Sequence, residues 1–138
     1  YTHPRFLPGS KIDDCSIVSS LVTEGVILNQ CRVERSVIGV RARVASGASL
    51  KEALVMGADY YQLPSEVEGD LAEGRPPMGI GEDAVVERAI VDKNARIGRG
   101  VRIVNRDSVT EADGENYFIR DGIVVIPKNS IVSDGTVI

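Results

Sequence analysis

Aliphatic side chains recur at every sixth position over most of this chain, and few folds tolerate that period. One series runs Cys15, Leu21, Ile27 and Val33; the register slips by one, and a second runs Ile38, Val44, Leu50 and Met56. A third runs Val85, Val91, Ile97 and Ile103, and a fourth Ile119, Val125, Ile131 and Val137. A helix would show a period near 3.6, and an amphipathic strand a period of 2. A period of six fits a hexapeptide β-helix. Each hexad supplies one short strand and one corner, and three hexads complete a triangular coil. One aliphatic per hexad points inward, and stacked coils set these residues in ladders about 4.8 Å apart.

Composition agrees with such a core. Hydrophobic residues make up 43% of the chain but aromatics only 4%, and Trp is absent, so the interior has to be aliphatic. The Ile and Val content suits pleated, half-buried strands. Small residues stand four places after marked ones: Ala42, Ala48, Ala89 and Ala95. A crowded corner needs small side chains there. Gly25, Gly39, Gly47, Gly98, Gly100 and Gly135 are candidates for the corners themselves. The predicted fold class is therefore all-β, a parallel β-helix with a short helical insertion.

Two segments break the rhythm. Residues 57–79 contain Pro64-Ser65-Glu66-Val67-Glu68, a helix start with acidic residues in its first turn. Arg75-Pro76-Pro77 then forces extended backbone. Residues 104–118 are polar and turn-rich, a second excursion. Residues 1–10 hold Pro4 and Pro8 and read as an incoming linker, which leaves 11–138 as one β-helix domain with insertions near 57–79 and 104–118. A solenoid has open ends, so a preceding domain or another subunit is expected to cover them.

Charge and cysteine usage exclude several classes. Sixteen basic and 20 acidic residues give a net charge of −4, against a broad nucleic-acid surface. No apolar run approaches the ~20 residues that span a bilayer, and no secretory signal opens the chain. The chain starts with Tyr1 and reads as a fragment or a processed product. Cys15 and Cys31 stand without a CxxC or paired His, so no zinc site is expected. They read as buried small hydrophobes rather than as a disulfide.

Catalytic chemistry is sparse. Hexapeptide β-helix acyltransferases commonly use a His as general base, and the only His here is His3, in the linker. Gly79-Ile80-Gly81 reads as a tight lead into the next coil rather than a phosphate-binding turn. Of four lysines, Lys93 and Lys128 each precede an Asn at nearly equivalent places in their hexads. Side by side they would form a phosphate site of point charges; on spacing alone they read as solvated surface lysines. Arg32, Arg35, Arg41 and Arg43 form one sequence cluster, and Arg96, Arg99, Arg102 and Arg106 another. Both read as outward-facing, solvated positions.

The motifs carry a resemblance. Pro4-Arg5-Phe6-Leu7-Pro8, Ser36-Val37-Ile38-Gly39, Met56-Gly57-Ala58-Asp59-Tyr60-Tyr61 and Leu71-Ala72-Glu73-Gly74 are among its segments, with Gly79-Ile80-Gly81, residues 90–98 and Asp134-Gly135-Thr136-Val137-Ile138. In these, from about residue 4 to the end, the chain resembles the C-terminal β-helix domain of ADP-glucose pyrophosphorylase (glucose-1-phosphate adenylyltransferase) of plant and cyanobacterial type. The resemblance implies a left-handed β-helix that supports a homo- or heterotetramer and helps bind 3-phosphoglycerate and phosphate. It maps two effector lysines onto Lys93 and Lys128. Pro127 departs from the family, which usually has a non-proline residue before the second lysine.

The same resemblance implies a parent nucleotidyltransferase that joins ATP and glucose 1-phosphate with Mg²⁺, feeding starch or glycogen synthesis in a bacterial cytoplasm or plastid stroma. Its catalytic domain would precede these residues, which carry no catalytic motif, metal site or cofactor of their own. The competing readings are a hexapeptide acyltransferase and a purely structural docking scaffold.

Overall fold

The structure, a computed structural model, describes residues 9–138. His3 and the first eight residues of the expected linker lie outside the described residues.

Short strands wind into a three-faced prism. The first face stacks Lys11–Asp13, Ile27–Asn29, Arg43–Val44, Gly79–Ile80, Arg96–Ile97 and Ile131–Val132, all parallel. The second stacks Ser16–Val18, Arg32–Glu34, Ser49–Lys51, Val85–Glu87 and Arg102–Ile103. The third stacks Leu21–Val22, Val37–Ile38, Leu54–Val55, Ala89–Val91 and Ile123–Ile126. The core is one aliphatic column between the faces, with Leu28, Val33, Ile38, Leu50, Val86, Ile97 and Ile103 fully buried. Ala42, Ala48, Ala89 and Ala95 are buried as well, as crowded corners require.

A coil is shorter than three full hexads. Lys11 pairs with Ile27, a step of 16 residues, and Val33 with Leu50, a step of 17. The missing residues are saved at corners turned by a single left-handed residue, such as Gln30, Arg35, Glu52 and Arg88. Side chains other than Gly adopt this conformation at a cost. Here it is offset because each N–H bonds to the coil before: Gln30 to Asp13 O at 2.8 Å and Arg88 to Lys51 O at 3.0 Å.

These short coils correct the strict six-residue register. Leu21, Met56, Ile131 and Val137, expected inside, are exposed, and Cys15, Ile27, Val85 and Val125 are half-buried. Leu28, Val55, Val86, Val124 and Val132 point inward instead. Adjacent strand residues face opposite ways, and several strands carry aliphatics on both sides, so the inward member of a pair such as Val85-Val86 is hidden in the sequence.

Residues 57–79 leave the prism between the third and first faces. Within them the helix Pro64–Ala72 starts on a proline, and Leu63 N–H is accepted by Glu66 Oε1 at 2.9 Å. It closes through Gly74 and an Arg75 N–H bond to Asp70 O at 2.8 Å. The second excursion holds strands. Glu111–Asp113 and Phe118–Arg120 form an antiparallel meander with Ile123–Ile126, extending the third face beyond its last parallel pair. Among the described residues, no helix is long and apolar enough to cross a membrane.

Candidate anion-binding corner

The corner between the third and first faces is turned by equivalent segments in successive coils. Glu24-Gly25 turns the first, Val40-Arg41 the second, Lys93-Asn94 the fourth and Lys128-Asn129 the fifth. In the third coil this corner is where residues 57–79 depart. Asn94 and Asn129 adopt φ of 60° and 63°, a region Asn tolerates better than most residues. Backbone bonds tie the column together: Ala58 N–H to Val40 O at 2.9 Å, Asn94 N–H to Gly57 O at 3.1 Å, and Asn129 N–H to Lys93 O at 3.0 Å. Pro127 sits just past the strand Ile123–Ile126, beyond the pairing with residues 118–120, and its carbonyl accepts from Ser130 N–H at 3.2 Å. There its missing N–H removes no bond of that pairing.

Lys93 and Lys128 therefore lie on adjacent coils of one corner, although 35 residues separate them. Both reach the same carboxylate. Lys93 Nζ lies 3.4 Å from Asp59 Oδ1, and Lys128 Nζ 3.7 Å from Asp59 Oδ2. Asn94 grips Asp59 twice, accepting its backbone N–H at 2.9 Å and donating Nδ2 to Oδ2 at 3.0 Å. The Asn94 bond and then the two ammonium groups hold the Asp59 carboxyl below the usual carboxylate range. All three charged side chains are about half exposed, so water and small anions reach them. Two ammonium groups against one carboxylate leave one positive charge in excess.

The inserted segment is anchored by a second network. Asp70, buried on the helix, accepts from Arg96 at 2.6 Å and Gln62 Nε2 at 2.7 Å, and pairs with Arg75 at 3.1 Å. Arg96 also donates to Pro76 O at 3.0 Å, and Gln62 Oε1 accepts Met78 N–H at 2.8 Å. Tyr61 donates its hydroxyl to Gly25 O at 2.8 Å, and Arg41 donates to Ala58 O at 3.3 Å. These bonds drape residues 58–62 along the corner and place Asp59 beside the lysines. The cleft beneath, about 230 Å³ and lined by Ala58, Tyr60, Tyr61 and Met78 among others, is mainly apolar. Lys93 and Lys128 are not among the residues that line this cleft.

Sequence reasoning paired Lys93 with Lys128 but missed Asp59, Asn94, Asp70 and Gln62. Arg96, expected in solvent, is mostly buried against Asp70. The first arginine cluster is dispersed over the prism. Arg35 pairs with Glu34 and Glu52 at another corner, and Arg32 and Arg43 lie on different faces. Gly79 is part of a strand of the first face. Its φ is +106°, and an added Cβ would lie 2.4 Å from Arg43 O, so close coil stacking accounts for the glycine. Among the described residues no group of three or more His, Cys, Asp or Glu is arranged to hold a metal ion.

A prism of stacked short parallel strands with a decorated corner defines a hexapeptide-type β-helix. The model of the GLGC left-handed parallel beta-helix domain matches residues 5–137. The chain belongs to that family, the C-terminal β-helix domain of ADP-glucose pyrophosphorylase. The usual right-handed preference of parallel crossovers comes from twisted strands feeding a packed helix. Strands of two to four residues joined by tight corners do not impose it.

Proposed function

We propose that this domain is the regulatory and assembly module of a glucose-1-phosphate adenylyltransferase, and that the corner at Lys93 and Lys128 binds phosphate-ester effectors such as 3-phosphoglycerate and inorganic phosphate. The observation that carries this reading is the convergence of both lysines on Asp59. Two exposed ammonium groups suit a phosphate dianion, whose oxygens accept several charged hydrogen bonds. An effector held here and on a preceding catalytic domain would bias their relative position, provided it binds the two arrangements with different affinity. The parent reaction, ADP-glucose synthesis with Mg²⁺ for starch or glycogen, in a cytoplasm or plastid stroma, belongs to this proposal.

The test is calorimetric titration of 3-phosphoglycerate and of phosphate into the full-length protein. Lys93→Ala and Lys128→Ala are each expected to weaken binding about tenfold or more, as loss of a charged hydrogen bond does. Wild-type affinity in both variants would sink the proposal and move the effector site elsewhere.

Asp59 is the resident counter-ion of this site, and an incoming phosphate competes with it. Asp59→Asn keeps the hydrogen-bonding shape but removes the charge, and is expected to tighten phosphate binding several-fold. Weaker binding in that variant would mean that Asp59 serves to position the lysines.

Assembly is supported by the outer side of the third face. Leu21, Val37, Leu54, Ile90, Val125 and Phe118 stand in register across six strands, and four of them are exposed. A continuous apolar ladder of this kind is suited to burial against another subunit or domain of a tetramer.

A further inference from the structure

The two cysteines sit at equivalent corners of the first two coils. Ser16 pairs with Arg32 in register, and Ser16 N–H bonds to Cys31 O at 3.1 Å. Cys15 and Cys31 are therefore stacked neighbours in one column, continued by Ala48 in the third coil, whose carbonyl accepts Arg32 N–H. Their sulfurs lie 3.5 Å apart, and both thiols are free. Neighbouring coils are separated by about 4.8 Å, inside the Cα separation of roughly 4.4–6.8 Å that a disulfide bridges. The pair opens on a surface depression bounded by Asp14, Gln30 and Ser49, through which solvent reaches Cys15 while Cys31 stays buried.

We propose that Cys15 and Cys31 form a dithiol modification site that a hydroperoxide closes to an intramolecular disulfide, stapling the first coil to the second. The accessible thiol reacts first. The Cys15 thiolate attacks the hydroperoxide, the O–O bond breaks, and a sulfenic acid and an alcohol (or water) result. The Cys31 sulfur then attacks the Cys15 sulfur. The S–O bond breaks, the S–S bond forms, and hydroxide leaves as water with the Cys31 proton. Two thiols are oxidised and one hydroperoxide is reduced, giving one disulfide, one alcohol and one water. This order follows from the environments. Burial, with the hydrogen bond and charge of Cys15, pushes the Cys31 thiol up to about 12, so it does not initiate. Conversion of Cys15 to a neutral sulfenic acid removes the charge contribution.

The staple acts on the coil that, among the described residues, has a neighbouring coil on one side. Ile12, Val18 and Leu21 of the first coil are 48, 52 and 68% exposed, and among the described residues only the second coil holds these strands in their sheets. Oxidation ties off a loop of 16 residues and favours the wound end over its frayed state. This site is independent of the effector corner, so the two proposals fail separately.

The test uses the full-length protein, treated with stoichiometric hydrogen peroxide, alkylated with N-ethylmaleimide and mapped by peptide mass spectrometry. The expected product is a linked Cys15–Cys31 species lacking two hydrogens and reversed by dithiothreitol. Amide exchange over residues 11–18 is expected to slow about tenfold. In Cys31→Ser, Cys15 should remain a sulfenic acid trapped by dimedone. Recovery of both cysteines alkylated, or of Cys15 over-oxidised without linkage, overturns the proposal. A linked species with unchanged exchange overturns the stapling role.

Discussion

Valine in place of Gly57 is expected to destabilise the domain by about 4 kcal/mol or more. Gly57 is the last residue of the corner column before the inserted segment departs, with φ of +95°. A β-branched residue is strained there whatever the space. The space is absent too: an added Cβ would lie 2.1 Å from Val40 O and 2.9 Å from Gly39 C, backbone that yields only if the coils part. Parting them breaks the Ala58–Val40 and Asn94–Gly57 bonds, and with them the platform under Asp59 and Lys93. Gly69 is the control, since an added Cβ there meets nothing within 4 Å and the residue lies in a helix. Gly69→Ala should be neutral or slightly stabilising. Urea unfolding followed by far-UV circular dichroism compares the two. A Gly57→Val variant within about 1 kcal/mol of wild type would show that the column tolerates a wider step at this point.

The period of six made the prism legible before any coordinates, because burial of one aliphatic per side is what the coil needs. The phase was less legible. Where a strand carries two aliphatics, as in Ile27-Leu28 or Ile131-Val132, hydrophobicity does not say which faces in, and each single-residue corner shifts the answer by one. The helix start at Pro64 was readable from its proline and acidic first turn. The strand Glu111–Asp113 and its antiparallel pairing were not, since it is polar and lies within the turn-rich residues 104–118.

At the site, the equivalence of Lys93-Asn94 and Lys128-Asn129 was visible as a repeated pair at like places in their hexads. Their contact was hidden by the excursion between them, whose length the period does not constrain. Asp59 and Asp70 were hidden for a similar reason: each acts through the path of the insertion, which follows from long-range bonds to Asn94 and Arg96. Of the arginines read as outward-facing, Arg32, Arg35, Arg43, Arg99, Arg102 and Arg106 are exposed, while Arg41 and Arg96 turn towards the insertion. In a prism, neighbours in sequence are dealt to different faces, so residues close in the chain, such as Arg32 and Arg43, end far from acting together.

The Asp70–Arg96 pair makes the attachment of the insertion depend on pH, with a sign that can be worked out. The hydrogen bond from Gln62, then the bond and charge of Arg96 and the charge of Arg75, hold the Asp70 carboxyl below its ordinary value. A depressed carboxyl contributes stability that is fully present above its unfolded value, about 3.9, and is lost as pH falls through the lower folded value. At neutral pH, Asp70→Asn is expected to loosen the helix Pro64–Ala72 by about 2–4 kcal/mol, because it leaves the guanidinium of Arg96 mostly buried without a counter-charge. As pH falls through that lowered folded value the wild-type carboxyl becomes protonated, and the difference between the two proteins should shrink towards zero. Hydrogen exchange of the helix amides, corrected for intrinsic rates, measures both ends of this window. A difference that persists undiminished into acid would assign the effect to packing rather than charge. The consequence reaches the proposed effector corner. Asp59 is carried by the first residues of the same insertion, so releasing the helix removes one constraint on the carboxylate that neutralises Lys93 and Lys128. Asp70→Asn should therefore alter phosphate binding at neutral pH without touching either lysine.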